Sequence, residues 1–283
     1  MGSSRLAVAH DAGGHSQELK HSSVRAFRHA PPKISPLLMR WFLAYAPYFA
    51  SKHLHSVRVS GEENLPAGDG LPLVIYMNHP SWWDPMIAAV LARRYFPARQ
   101  HYAPIDSEAL KKYKFFAKLG MFGVEAGSFA SHRKFLDIGE QLLQQPNSAL
   151  WVTAQGRFAD PRERPLRLSS GLAHLLARIQ TFAVIPAAVE YAFWEERTAE
   201  GLIRFGKPML GNAHLAPSAW MNSLTDQLAR TMDQLAADSI ARNTARFTTI
   251  LSGGAGVGGV YDIWRSFKAR LRGQTFHAEH GEK

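Results

Sequence analysis

The sequence contains no cysteine. That excludes disulfides, thiolate nucleophiles, cysteine-ligated metals and palmitoyl anchors, and leaves oxygen and nitrogen as the groups available for catalysis. It also lacks a long apolar run. The best candidate, Ile34 to Phe49, is interrupted by Arg40 and Pro47 and falls short of the ~20 residues that cross a bilayer. Acidic residues are in deficit, with 23 Asp plus Glu against 33 Lys plus Arg and a net charge of +10. Such a balance favours an anionic partner: a phospholipid surface, nucleic acid or a charged substrate. No helix-turn-helix, zinc or RNP-type pattern accompanies the charge, so no nucleic-acid partner is expected. The 13 histidines show neither His-x-x-x-His spacing nor carboxylate clustering, and no metal is expected. A Gly-x-Ser-x-Gly elbow is also missing, which argues against a serine esterase. Gly254-x-Gly256-x-x-Gly259 formally matches a dinucleotide fingerprint, but no βαβ unit surrounds it and it reads as a hinge.

What is present is a globular composition, 46% hydrophobic over 283 residues, enough for one large domain with appendages. Residues 1–32 are rich in Gly, Ser and His and lack a signal peptide's apolar core, so they read as a disordered leader. Leu6 breaks the myristoylation pattern. Residues 33–57 form an amphipathic segment. Its Trp41, Phe42, Tyr45, Tyr48 and Phe49, flanked by Lys33, Lys52 and Arg58, suit a headgroup boundary; an ordinary core helix is the alternative. From 58 to 215, short apolar runs alternate with amphipathic stretches, predicting an α/β fold with a mixed, largely parallel sheet flanked by helices. Strands are expected at Leu73 to Met77, Met121 to Glu125, Ala149 to Thr153 and Phe182 to Val189. Helices are expected at Asp84 to Arg94, Ser107 to Leu119, Ala130 to Gln144 and Ser170 to Gln180. Residues 216–283 read as a helical extension, one helix from Ala219 to Arg242 and a basic amphipathic one from Val260 to Leu271.

The chemistry concentrates where Leu73-Val-Ile-Tyr-Met77 runs into Asn78-His-Pro-Ser-Trp-Trp-Asp84. A histidine at the carboxyl end of a buried strand lies where α/β sheets bind ligands. Its imidazole can serve as a general base when a carboxylate fixes the tautomer. Asp84, five residues on in the first turn of the next helix, can do so. The pair is a Ser-His-Asp relay in which a substrate hydroxyl replaces the serine. For His and Asp at this spacing alone, a helix cap beside a satisfied loop histidine is the simpler account. Four further segments change that judgement.

The run Asn78-His79-x-Ser81-x-x-Asp84 resembles the signature of the glycerophospholipid acyltransferases, the lysophosphatidate-acyltransferase-like family. Further landmarks follow in order: Val59 to Pro66 as lead-in, Met121-Phe-Gly-Val-Glu125, Thr153-Ala-Gln-Gly-Arg157 and Val184-Ile-Pro186. The resemblance implies that His79 deprotonates a lipid hydroxyl, which attacks the thioester of acyl-CoA or acyl carrier protein without an acyl-enzyme. Asp84 orients His79, and Asn78, Ser81, Gln155, Gly156 and Arg157 contact substrate, with N–H groups around Gly156 as oxyanion donors. Trp82 and Trp83 are candidates for an acyl pocket or a membrane seat. No cofactor is implied beyond the acyl donor, and the expected location is peripheral, on the cytoplasmic face of a membrane. Two departures bear on the acceptor. Gln155 stands where the family has Glu, with Arg157 directly after Gly156. In the second block Glu125-Ala-Gly127 replaces the family's phosphate-binding Arg, the nearest basic residues being His132 and Arg133. These point to a glycolipid or glycosylated terpenoid, with 1-acylglycerol-3-phosphate as the alternative acceptor and a silent lipid-binding protein as a further one.

Overall fold

The computed structural model describes residues 27–66, 70–211 and 215–253. The amphipathic segment begins as α1, Pro36–His53, capped by the Ser35 hydroxyl and opened by Pro36 at the position where a missing N–H costs nothing. Pro47 does not end it. Next come β1 (Ser56–Ser60), β2 (Leu73–Met77), α2 (Asp84–Tyr95), β3 (Gln100–Asp106), α3 (Ser107–Lys112), β4 (Met121–Val124) and α4 (Phe129–Leu142). The chain continues through β5 (Ser148–Thr153), α5 (Gly171–Leu176), β6 (Ala183–Ala192), β7 (Glu200–Phe205), β8 (Met209–Leu210), α6 (Pro217–Ala241) and β9 (Thr248–Ser252).

The strands form one sheet in the order β4-β3-β5-β2-β6-β7-β1-β9, with β8 also pairing β6. The run from β4 to β6 is parallel throughout; β6 meets β7 and β8 antiparallel, β7 pairs β1 in parallel, and β9 closes the edge antiparallel to β1. The sheet is mixed and largely parallel, as expected. Its centre is β2, flanked on both sides by parallel neighbours and buried at all five positions. A strand covered on both faces has to read as a continuous apolar run, and Leu73-Val-Ile-Tyr-Met77 does. Leu73, Ile75 and Met77 pack toward α1 and α2. Val74 and Tyr76 face α4, α5 and α6, and the Tyr76 hydroxyl donates to the Leu224 carbonyl of α6 at 3.2 Å.

The lead-in segment has a plain physical purpose. Gly61, at φ +76°, turns the chain after β1 so tightly that a Cβ there would collide with the Phe205 carbonyl. Asn64 donates to that same carbonyl at 3.0 Å. The two residues tie β1's exit to the end of β7.

Some expectations need correction. The helix expected over 107–119 breaks at Tyr113 and continues as a 3₁₀ turn, Lys114–Leu119, because Tyr113 leaves helical geometry. Among the described residues, the extension after residue 215 is α-helical as far as Ala241, with a short 3₁₀ turn at Thr244–Arg246. Beyond it, Thr248–Ser252 joins the sheet, where the bare edge of β1 supplies its hydrogen-bonding partner. β1, β3, β7, β8 and β9 also went without a forecast. The hinge at 254–259, the terminal basic helix and residues 1–26 lie outside the described residues.

Candidate active site

Because β2 is central and parallel to both neighbours, its carboxyl end opens between the loop after β5 and the stretch of β6 that runs on past it. Asn78 is the first residue beyond the strand. Its amide donates to the Val189 carbonyl at 2.9 Å and accepts the Val189 N–H at 2.8 Å, with the side chain 1% exposed. Both functions of the amide are thus engaged on β6, so Asn78 locks the chain entering the site. The substrate contact expected of it does not fit this geometry.

His79 follows, and Asp84 meets it. The imidazole Nδ1 lies 2.6 Å from Asp84 Oδ2, and this contact requires Nδ1 to carry the proton and donate it. The lone pair is then left on Nε2, which has no hydrogen-bond partner among the described residues. Asp84 is 1% exposed, and burial of a carboxylate is tolerable only with several donors. The Ser81 N–H supplies one to Oδ2 at 3.2 Å, and the Tyr191 hydroxyl supplies one to Oδ1 at 2.8 Å. Asp84 also opens α2, where the unsatisfied N–H groups and the dipole favour negative charge. The cap and the dyad are therefore one arrangement. Ser81 serves it from the backbone side, its hydroxyl accepting the Trp83 N–H at 3.2 Å.

The loop after β5 forms the opposite wall. Gln155, 8% exposed, accepts the His79 N–H at 3.1 Å through Oε1, and the Ala159 N–H donates to the His79 carbonyl at 2.9 Å. The histidine backbone is clamped at both ends. This accounts for Gln where the resemblance expects Glu: the acceptor oxygen that holds His79 is retained, while the charge is removed and an NH₂ donor is added. Gly156 adopts φ +67°, and a Cβ there would meet only Ser169 Cβ at an ordinary contact distance of 3.6 Å, so it is the left-handed backbone that favours glycine. Its own N–H donates to the Thr153 carbonyl at 3.0 Å, which removes it from the expected oxyanion donors. Arg157 pairs with Glu163 and donates to the Phe158 carbonyl at 3.2 Å. These bonds brace the loop.

Two contributors escaped the sequence reading. Phe158 stacks on His79, centroids 4.2 Å apart at 28°, although the phenyl is 57% exposed. Tyr191 holds Asp84 from β6. For Tyr191 a signal existed: Ala187, Val189 and Tyr191 alternate onto one face of β6. For Phe158 there was none, since loop geometry decides the stack. Trp83 packs between Phe49 and His53 of α1, at 5.5 and 5.4 Å, and Trp82 lies edge-on to it, largely exposed.

The fold and this site define an α/β domain in which the carboxyl end of the central strand presents a carboxylate-held imidazole between the loop after β5 and strand β6. Comparison finds a likeness over this part of the chain: residues 56–190 are similar to the family model described as Acyltransferase. Among solved structures, that of the 1-acyl-sn-glycerophosphate (LPA) acyltransferase PlsC from Thermotoga maritima shares the fold. Its TM-score is 0.50 at 14% identity, covering 71% of this chain and 79% of that one. No curated protein sequence matches the chain.

Proposed function

We propose that the protein is a membrane-peripheral O-acyltransferase that moves a fatty acyl group from acyl-CoA or acyl carrier protein to a hydroxyl of a lipid. The observation that carries this reading is the His79 imidazole, tied to Asp84 at 2.6 Å through Nδ1, with Nε2 unpartnered among the described residues. Nε2 accepts the acceptor's hydroxyl proton as its oxygen bonds to the thioester carbonyl carbon. Asp84 stabilises the imidazolium; as the C–S bond breaks, the proton passes to the departing thiolate, giving an ester and a free thiol. No acyl-enzyme is required. The amides of Arg157 and Phe158 follow Gly156 in the same turn, carry no hydrogen bond among the described residues, and are the donors left for the oxyanion.

Three observations favour a neutral, hydroxyl-rich acceptor such as a glycolipid or glycosylated terpenoid. Gln155 brings a neutral amide to the site. The second block carries Glu125. His132, the nearest basic residue to that block with Arg133, is held below its ordinary pKa by partial burial, then by His174 and Arg178, so it is a weak source of positive charge for a phosphate. Of the arginines farther along the loop, Arg162 pairs with Asp160 and Arg164 with Asp233.

The membrane half of the reading rests on α1. Leu37, Trp41, Tyr45 and Tyr48 form an exposed stripe, while Phe42, Ala46, Phe49 and Ala50 turn inward, the split of an amphipathic helix lying on an apolar boundary. Trp41 stacks on Tyr45 at 5.1 Å, and Lys52 lies over Tyr48. No described helix is long and apolar enough to cross a membrane. The net charge of +10 suits an anionic surface, and the cytoplasmic face is where acyl donors are available.

The test offers purified protein each donor with lysophosphatidate, a glycolipid or a glycosylated terpenoid in anionic vesicles, following free thiol and new ester. Ester on the neutral acceptors is the expected result. Selective turnover of lysophosphatidate would replace the acceptor assignment by 1-acylglycerol-3-phosphate acylation. Thiol without ester would mean hydrolysis, and silence with both donors would mean a lipid-binding protein.

A further inference from the structure

The buried carboxylate of Asp84 has two oxygens with different duties. Oδ2 receives the His79 Nδ1 proton and the Ser81 N–H; Oδ1 receives the Tyr191 hydroxyl at 2.8 Å. We propose that Tyr191 is a positioning residue of the acyl-transfer site, a phenol that sets the basicity of His79 by holding the far oxygen of Asp84. This rests on the general-base reading of His79.

Geometry carries the argument. Tyr191 stands on β6 two residues after Val189, whose backbone N–H and carbonyl are both bound by Asn78. The residue that starts the catalytic turn and the residue that closes on its carboxylate are therefore fixed by the same stretch of one strand. At this point β6 has run past the end of β2, its last partner there being Ala187, and Tyr191 lies opposite Gly201 of β7. The hydroxyl has only the role of donor to a carboxylate, because burial, and then Asp84, hold its pKa well above the ordinary value. It keeps its proton throughout the neutral pH range.

The physical consequence has a sign. A carboxylate relieved of one donor is a stronger acceptor toward its remaining ones and draws the Nδ1 proton more firmly. Without the Tyr191 hydroxyl the imidazolium is stabilised, and His79 stays protonated, hence inactive as a base, to higher pH. The surrounding ionisable groups do not substitute. Glu200 of β7, next to Gly201, is engaged by Ser56 and Arg58. Glu190 of β6 accepts from Ser239 of α6. Arg157 and Glu163 of the β5 loop pair with each other. His53 of α1 bonds the Phe49 carbonyl and sits behind Trp83.

The test compares full-length wild type with Tyr191→Phe, which keeps the ring and removes only the hydroxyl. The midpoint of the acid limb of kcat/KM is expected to rise by about half to one pH unit, a threefold to tenfold loss below it, with rates converging within about twofold at high pH. A site-specific fluorotyrosine at 191, a stronger donor, should move the midpoint the opposite way, so an effect of impaired folding is separated from one on basicity. The His79 ring titration, followed by NMR, reads the same shift without turnover. If wild type transfers no acyl group but this titration moves as stated, the acyltransfer reading has failed and the tuning role stands. Equal loss at all pH values, or an unmoved titration, overturns the proposal.

Discussion

Two histidines of the same sheet show how the surroundings of the proposed base differ from those of a structural imidazole. His101, near the start of β3, is 7% exposed and has both ring nitrogens in use. Trp151 donates to its Nδ1 at 3.1 Å, which fixes the proton on Nε2, and Nε2 donates to the Phe96 carbonyl at 3.1 Å. Burial pushes its pKa down to about 4, against the Phe96 bond that raises it. His79 sits at the opposite end of the neighbouring region of the sheet, with one nitrogen on a carboxylate and the other free. The lesson is that burial and hydrogen bonding do not make a base; an unengaged nitrogen backed by a negative charge does.

The comparison can be broken by exchanging the losses. His79→Ala should lower turnover about 10³-fold, a general-base contribution, with thermal unfolding nearly unchanged. Next in size, Asp84→Asn should cost about 10²- to 10³-fold in kcat/KM, because an amide no longer fixes the tautomer or stabilises the imidazolium. A fall below threefold in either variant would remove the dyad from the mechanism. His101 should instead respond to acid. Its pKa is about 4 folded and 6.5 as the ordinary value, so the unfolded chain takes up the proton first. Stability is complete above pH 6.5 and declines by up to about 3 kcal/mol as pH falls toward 4. Urea titrations across that range measure it, and His101→Leu, less stable throughout, should flatten the slope.

Smaller effects sharpen the contrast at the surface. Replacing Trp41 and Tyr48 of α1 together by Ser should weaken sedimentation with anionic vesicles about tenfold or more while leaving the fold intact. Retained binding would relocate the membrane contact. Arg157→Ala breaks an exposed pair, so it should change stability by less than about 1 kcal/mol. A large loss of activity there would mean that Arg157 touches substrate after all.

Much of the fold was legible because its central elements are locally consistent. β2 is uniformly apolar, β5 and the first seven residues of β6 nearly so, and α2 and α4 carry helical spacing, so residue pattern and burial agree. β1, β3, β7 and β9 were missed because they are made by pairing. Ser-Val-Arg-Val-Ser and Thr-Thr-Ile-Leu-Ser, for example, become strands by completing each other's hydrogen bonds at an edge. At the site, His79 and Asp84 were readable from one turn of chain. The engagement of Asn78 by Val189 was not, nor the grip of Gln155 on the His79 backbone, because partners 111 and 76 residues away decide them. The sequence reading set Phe42 and Phe49 of α1 at the headgroup boundary with Trp41, Tyr45 and Tyr48, whereas both pack inward against the core, because α2 and the sheet cover that face.

The central claim is that the free Nε2 of His79 takes the acceptor's proton. The most direct measurement follows thiol release and ester formation together in wild type and His79→Ala, with one lipid acceptor and one thioester donor at saturation. The account predicts equal amounts of thiol and ester from wild type, and both lost about 10³-fold in the variant. Ester formation at an undiminished rate in His79→Ala would contradict it.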